Sequence, residues 1–176
     1  MTAYLADTPV LTTERLTLRA PKLEDYPVWE AFFTSDRAQF VGGPVDAAQA
    51  WRSYGHLVGM WALKGCGSFV FERTEDGVVL GSTGPWVPNY YPEKEIGWTV
   101  WRPEAEGHGY AFEAASAARD YAFQTLGWDT AVSYIDHGND RSVALAKRLG
   151  AFEDENAVQP HPEKPCHVYR HPARSA

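Results

Sequence analysis

From Val100 to Ala111 the chain runs Val100-Trp101-Arg102-Pro103-Glu104-Ala105-Glu106-Gly107-His108-Gly109-Tyr110-Ala111, a strand passing through a glycine-containing turn directly into a long helix. This passage constrains the fold more than any other segment. A turn of this kind presents unpaired backbone N–H groups at the positive end of a helix dipole, which makes an anion site without basic side chains. On the glycine pair alone, a tight turn that uses glycine for its geometry is the plainer reading. Two other phosphate motifs are excluded. A dinucleotide fingerprint needs a small residue where Phe112 stands, and a P-loop needs Gly-Lys-Ser/Thr, which the sequence lacks.

The rest of the composition describes an acidic scaffold around that turn. The chain has 176 residues, 44% of them hydrophobic, with 23 Asp+Glu against 16 Lys+Arg and a formal net charge of −7. That length suits a single soluble domain, residues 1–176, with a core large enough to need no disulfide or structural metal. An acidic chain without a Lys/Arg run is a poor partner for nucleic acid. No apolar stretch approaches the length of a membrane-spanning helix, and Met1 to Val10 lacks the pattern of a signal peptide, so a cytoplasmic protein is expected. Cys66 and Cys166 lie far apart and outside any CxxC pair, which suits a reducing compartment.

Periodicity orders the elements. Glu14 to Arg19 alternates, with Leu16 and Leu18 facing inward. Leu23 to Phe33 reads as a short helix carrying Leu23, Tyr26 and Phe33 on one side, and Val41 to Pro44 as a turn. Asp46 caps a helix to about Lys64 whose Trp51, Tyr54, Val58 and Trp61 fall on the helical period. Ser68 to Glu72 and Val78 to Ser82 form a hairpin through Asp76-Gly77. Pro85 to Pro92 is an irregular loop, and Glu95 to Trp101 resumes as strand. Helix Tyr110 to Leu126, strand Thr130 to Ile135, helix Asn139 to Leu149 and two closing strands, Ala151 to Glu153 and His167 to Arg170, complete the chain. The result is an α/β protein with a mixed sheet flanked by helices.

Several of these segments together resemble the GNAT family of acyl-CoA-dependent N-acyltransferases, in the branch of the RimJ/RimL ribosomal-protein acetyltransferases. The family's cofactor signature is Gln/Arg-x-x-Gly-x-Gly/Ala at a helix start. Glu106-Gly107-His108-Gly109-Tyr110-Ala111 matches it at Gly109 and Ala111, with Glu106 in place of Gln or Arg. Gly109 to Ala114 is similar to the branch's Gly-Tyr-Ala-Thr-Glu-Ala, with Phe112 departing. Asn139-Asp140-Arg141-Ser142 followed by Leu149-Gly150 and Phe152 is similar to its Asn-x-x-Ser…Leu-Gly-Phe, with Ala151 as one extra residue. Thr13 to Arg19 is similar to its opening strand.

The resemblance implies a mostly antiparallel central sheet splayed between Glu95 to Trp101 and Thr130 to Ile135. Acetyl-CoA lies in the splay, its pantetheine near the backbone of Trp98, Thr99 and Val100 and its pyrophosphate on the amides of His108, Gly109, Tyr110 and Ala111. Asn139 holds the pantetheine arm, although a plain helix N-cap is an equally good role for it. The implied reaction is acetyl transfer to a primary amine, either a protein N-terminus or a small molecule, by direct attack in a ternary complex.

Such a transfer needs a neutral amine, a donor for the developing oxyanion and a proton for the departing thiolate. Glu95, on the strand face of Gly97, Thr99 and Trp101, is the candidate base; a solvated strand-end carboxylate is the competing role. A backbone N–H of the splayed strand would serve the oxyanion. Ala146 occupies the position of the tyrosine that many family members use as acid, so Ser142 is the remaining candidate. Trp51, Tyr54, Trp86, Asn89, Tyr90 and Tyr91 are candidate acceptor walls. His161, Cys166, His167 and His171 fit no zinc spacing, so no metal is expected. His56 and His137 have no assigned role, and a homodimer is left open. Glu106 and Ala146 keep one alternative alive, a non-catalytic acyl-CoA-binding domain on the same fold.

Overall fold

In the computed structural model, which describes residues 8–172, eight strands form one sheet in the order β1-β2-β3-β4-β5-β6-β8-β7. They are β1 Leu11–Thr12, β2 Leu16–Arg19, β3 Phe69–Arg73, β4 Val79–Trp86, β5 Glu95–Val100, β6 Thr130–Ile135, β7 Phe152–Glu153 and β8 His167–Pro172. Every neighbouring pair is antiparallel except β5 and β6, so the mixed, mostly antiparallel sheet expected from the sequence is the one observed. Helices α1 Tyr26–Phe33, α2 Ala47–Lys64, α3 Tyr110–Gln124 and α4 Asp140–Arg148 flank it. Among the described residues no helix is long and apolar enough to cross a membrane.

Strand alternation sends side chains to both faces of the sheet, where they join the two larger of four buried clusters among the described residues. Leu16, Leu18, Phe69 and Phe71 face α3, whose buried Ala114 and Ala118 let the helix approach the sheet closely. Val70 and Trp101 face the opposite side, against Trp29, Phe32 and Phe33 of α1 and Tyr54 and Leu57 of α2. α2 begins as expected, the Asp46 carboxylate accepting from the Gln49 N–H at 2.7 Å.

Some expectations need correction. Leu23 lies in a single 3-10 turn ahead of α1 and is exposed, so the buried face of that helix is carried by Trp29, Phe32 and Phe33. Trp51 is also exposed, set edge-on to Tyr26, because the buried stripe of α2 runs through Ala50, Tyr54, Leu57, Met60 and Trp61. Pro85 and Trp86 belong to β4 rather than to a loop. β3 stops pairing at Thr83, so β4 is an edge beyond it, where a missing proline N–H is tolerated.

The sheet divides between β5 and β6. They share one register pair, Glu95 with Val132, supported by the Val132 N–H donating to Lys94 O at 2.9 Å. Past that point the main chains part and side chains bridge the gap. The Ser133 hydroxyl donates to Ile96 O at 2.6 Å, and His171 Nε2 lies 2.9 Å from the same hydroxyl. Because that hydroxyl proton is committed to Ile96, the imidazole must be the donor at Nε2, which leaves His171 Nδ1 buried without a partner. Burial holds the His171 pKa down at about 4, so the ring is neutral.

Candidate active site

At the wide end of the splay, α3 begins at Gly109, which caps it in the left-handed region at φ 80°. The first amide bonded within the helix is that of Glu113, to Gly109 O at 3.1 Å, so the preceding amides point outward from the helix end. A Cβ at Gly107 would meet nothing within 4 Å, and one at Gly109 would meet only Arg15 Nη2, at 3.6 Å. The turn therefore has free space on the side where side chains at these two positions would project.

Side chains fix this turn from three directions. Glu113 accepts from the Thr13 hydroxyl at 2.6 Å and the Arg15 backbone N–H at 2.8 Å, and pairs with the Arg15 guanidinium at 2.7 Å. Arg15 also donates to His108 O at 3.1 Å and lies over the Tyr110 ring. The opening-strand motif and the helix motif thus form one constellation. On the other side Arg37 donates to Trp101 O, to Val100 O and to Glu106 Oε1, the last at 2.6 Å, while Arg141 of α4 pairs with Glu106 Oε2. Glu106 does not leave a bare negative charge at the turn, because two guanidinium groups neutralise it. Although its partial burial acts the other way, those two arginines hold its pKa below the usual glutamate range.

Between the strands, a cleft of about 560 Å³ is lined by Glu95, Gly97, Trp98 and Thr99 of β5 and by Asn139 and Ser142 at the start of α4. Five of the sequence-derived site residues therefore share one cavity. His108 to Ala111 lie at the turn beyond it, and the Val100 carbonyl is occupied by Arg37. Burial pushes the Glu95 pKa up to about 8, opposed only by the Tyr134 N–H reaching Oε1 at 3.4 Å. A Cβ at Gly97 would have only the Glu95 carboxyl near it, at 3.8 Å, so space is kept open beside that group.

Across the cleft, Trp98 Nε1 donates to Ser142 Oγ at 3.2 Å, joining β5 to α4 over the gap. The Asn139 side chain accepts from the Ser142 N–H at 3.2 Å, which is the N-cap role, and its amide nitrogen is not used in that bond. The Thr99 hydroxyl lies 2.9 Å from that of Ser82 and accepts from Trp101 Nε1.

Of the suggested acceptor walls, Trp86, Tyr90 and Tyr91 line the cleft. Tyr54 is buried, its hydroxyl bonded to Lys22 O at 2.5 Å, and Asn89 is bonded by Lys64. Residues that sequence reasoning missed are His56, which packs on Trp86, together with Tyr134, Asp136 and Lys164, the last two paired at 2.6 Å. His137 and His167 lie 2.9 Å apart on the exposed side, His167 also bonding Glu153. Nothing in the local sequence signals these pairings, since each joins segments distant along the chain.

Residues 15–151 match the family model of the acetyltransferase (GNAT) domain. An acetyltransferase from Agrobacterium tumefaciens str. C58 is similar at 40% identity and a TM-score of 0.86, over 93% of this chain and 94% of that one. Ribosomal-protein-S5-alanine acetyltransferase from Vibrio fischeri shares the fold at 14% identity and a TM-score of 0.71, over 95% and 98% of the two chains. So does RimL, a ribosomal L7/L12 alpha-N-protein acetyltransferase in complex with coenzyme A, at 13% identity and a TM-score of 0.72, over 93% and 98%.

Proposed function

Because the chain belongs to the GNAT acetyltransferase family, we propose that it transfers an acetyl group from acetyl-CoA to a primary amine by direct attack in a ternary complex. The observation that carries this reading is the convergence of Glu95 and Ser142 on one cleft, in a chain whose β5 leads on into a turn of outward-facing amides at the start of α3. The residues fit the cosubstrate. The amides of His108, Gly109, Tyr110 and Ala111 receive its pyrophosphate, the edge of β5 at Trp98, Thr99 and Val100 faces its pantetheine arm, and the spare amide of Asn139 holds that arm. The negative charge of Glu106, one of the two reasons for considering a non-catalytic binding domain, is met by Arg37 and Arg141.

Acetyl-CoA supplies a thioester-activated acetyl group. Glu95 takes a proton from the amine as the C–N bond forms, and a carboxylate whose pKa is near 8 is a far stronger base than a solvated one. A backbone N–H of β5 stabilises the charge developing on the carbonyl oxygen. Ser142 accepts from Trp98, so its hydroxyl is oriented to hydrogen-bond the sulfur as the C–S bond breaks, and the proton that Glu95 took from the amine balances the one the departing thiol gains. CoA release with a mixed panel of amines tests the reading: turnover is expected, and cosubstrate binding without turnover on any amine refutes it. In hydrogen exchange, added CoA should protect residues 98–111; protection elsewhere only would refute the placement.

A further inference from the structure

The acceptor half of the cleft has walls of an unusual kind. Trp86 of β4 is the register partner of Glu95 on β5, so the two side chains stand beside each other on one face of the sheet. Trp86 is backed by the His56 ring at 4.8 Å. Beyond Glu95 a second group of rings closes the space. Tyr91 is edge-on to Tyr134 at 5.3 Å and to Tyr90 at 5.2 Å, with His161 at 6.1 Å from Tyr91. Edge-on rings of this sort leave faces and edges that suit another flat ring.

Three carboxylates, Glu95, Asp136 and Glu163, and one lysine, Lys164, line the cleft. Asp136 is already neutralised by Lys164, and that lysine is thereby committed as well. Glu163 stands at the rim with its side chain 76% exposed, beside His161. Within the cleft Glu95 has no cationic partner among the described residues, and Gly97 keeps the space beside it open. The Glu95 carboxyl can receive one amine nitrogen. A diamine would bring a second cation whose carboxylate, Glu163, stands at the exposed rim and is shared with His161, and a peptide would bring backbone amides past the rings of Trp86, Tyr91 and Tyr134.

We propose that the acceptor is a small monoamine carrying an aromatic ring, its nitrogen directed at Glu95 and its ring lying against Trp86. The proposal rests on the acetyltransferase reading and narrows it to a substrate class. The ring gains contact area and stacking at a wall already ordered by His56, whereas an alkyl chain of equal charge gains less.

The test compares CoA release with 2-phenylethylamine, n-butylamine, 1,4-diaminobutane and an alanyl tripeptide, with CoA affinity measured by calorimetry. The aryl amine is expected to lead in kcat/KM by about tenfold or more, equivalent to about 1.4 kcal/mol. Trp86→Ala should cut that lead to about threefold or less, mainly through KM for the aryl amine, while Trp86→Phe restores most of it. An unchanged CoA affinity would report that the variants are folded. Equal or better turnover of the diamine or the tripeptide would overturn the proposal and leave the acetyltransferase reading standing. A lead that survives Trp86→Ala would overturn the placement of the ring. No turnover on any amine, with CoA still bound, would overturn the acetyltransferase reading and this proposal with it.

Discussion

The Ser133 hydroxyl donates to the Ile96 carbonyl at 2.6 Å, one residue beyond the Glu95–Val132 pair where main-chain bonding between β5 and β6 ends. A side chain thus takes over at the point where the backbone ladder stops. With His171 behind it on β8, this bond sets how far the two strands open, and with that the width of the cleft.

His171 links that brace to pH. Its folded pKa is about 4 against an ordinary 6.5, so the stability tied to its neutral form is complete above pH 6.5 and is lost as pH falls toward 4. Thermal unfolding of the wild type should show this acid decline, and His171→Gln should flatten it. An identical decline in the variant would assign the acid sensitivity to other groups.

Glu95 gives the opposite sign. Its pKa rises from 4.5 to about 8 on folding, so its contribution to stability is greatest below pH 4.5 and is lost as pH rises through 8. Glu95→Gln should therefore unfold at a higher temperature than wild type at pH 9, with the difference shrinking toward pH 5. Melting curves across that range decide it.

The same substitution separates chemistry from binding. Glu95→Gln should lower kcat by roughly 10²-fold or more while CoA affinity hardly moves. The wild-type kcat/KM should rise with pH and level off near pH 8, and the variant should lack that inflection, recovering part of its loss at alkaline pH where more of the amine is already neutral. Ser142→Ala should slow turnover less steeply, without alkaline relief. Near-normal turnover of Glu95→Gln at pH 7 would remove the residue from the mechanism.

Gly109 holds φ 80° at the cap of α3, a conformation that a β-branched residue adopts only with strain. Gly109→Val should weaken CoA binding by well over tenfold, more than about 1.4 kcal/mol. Calorimetry with CoA checks it, and His108→Ala should have a smaller effect, since in the proposed placement it is the backbone rather than the ring that meets the phosphates.

Glu106 carries two effects of opposite sign. Glu106→Gln removes a negative charge beside the phosphate turn and frees Arg37 and Arg141, so CoA should bind more tightly, most clearly at low salt. It also deletes two partly exposed ion pairs, so melting should fall by a few degrees, for about 1 kcal/mol lost. Weaker CoA binding would show that the carboxylate organises the arginines rather than opposing the cosubstrate.

Local chemistry made the centre of the molecule legible in the sequence. β6 falls on Thr130–Ile135 as read, Asn139 caps α4, and the glycine turn opens α3 at Tyr110, because alternation, caps and turn residues act over a few positions. Leu23 and Trp51 were misplaced for the converse reason: which apolar residue of a helix is buried depends on where its neighbours pack. The pairing of Glu106 with Arg37 and Arg141 spans 69 and 35 positions and leaves no local trace. The Trp98 to Ser142 bond across 44 positions is equally hidden, which is why Ser142 could be singled out by resemblance but not given its partner.

The inner edges of β5 and β6 beyond Glu95 are exposed ladder edges, normally an invitation to wrong pairing and aggregation. Here they face each other across a gap already crossed by Ser133 and Trp98, which leaves no clear run for another polypeptide. A pantetheine arm is slimmer than a peptide and carries amide groups of its own. On the proposed placement it would act there as a surrogate strand, so that loading the acyl donor would also finish the sheet.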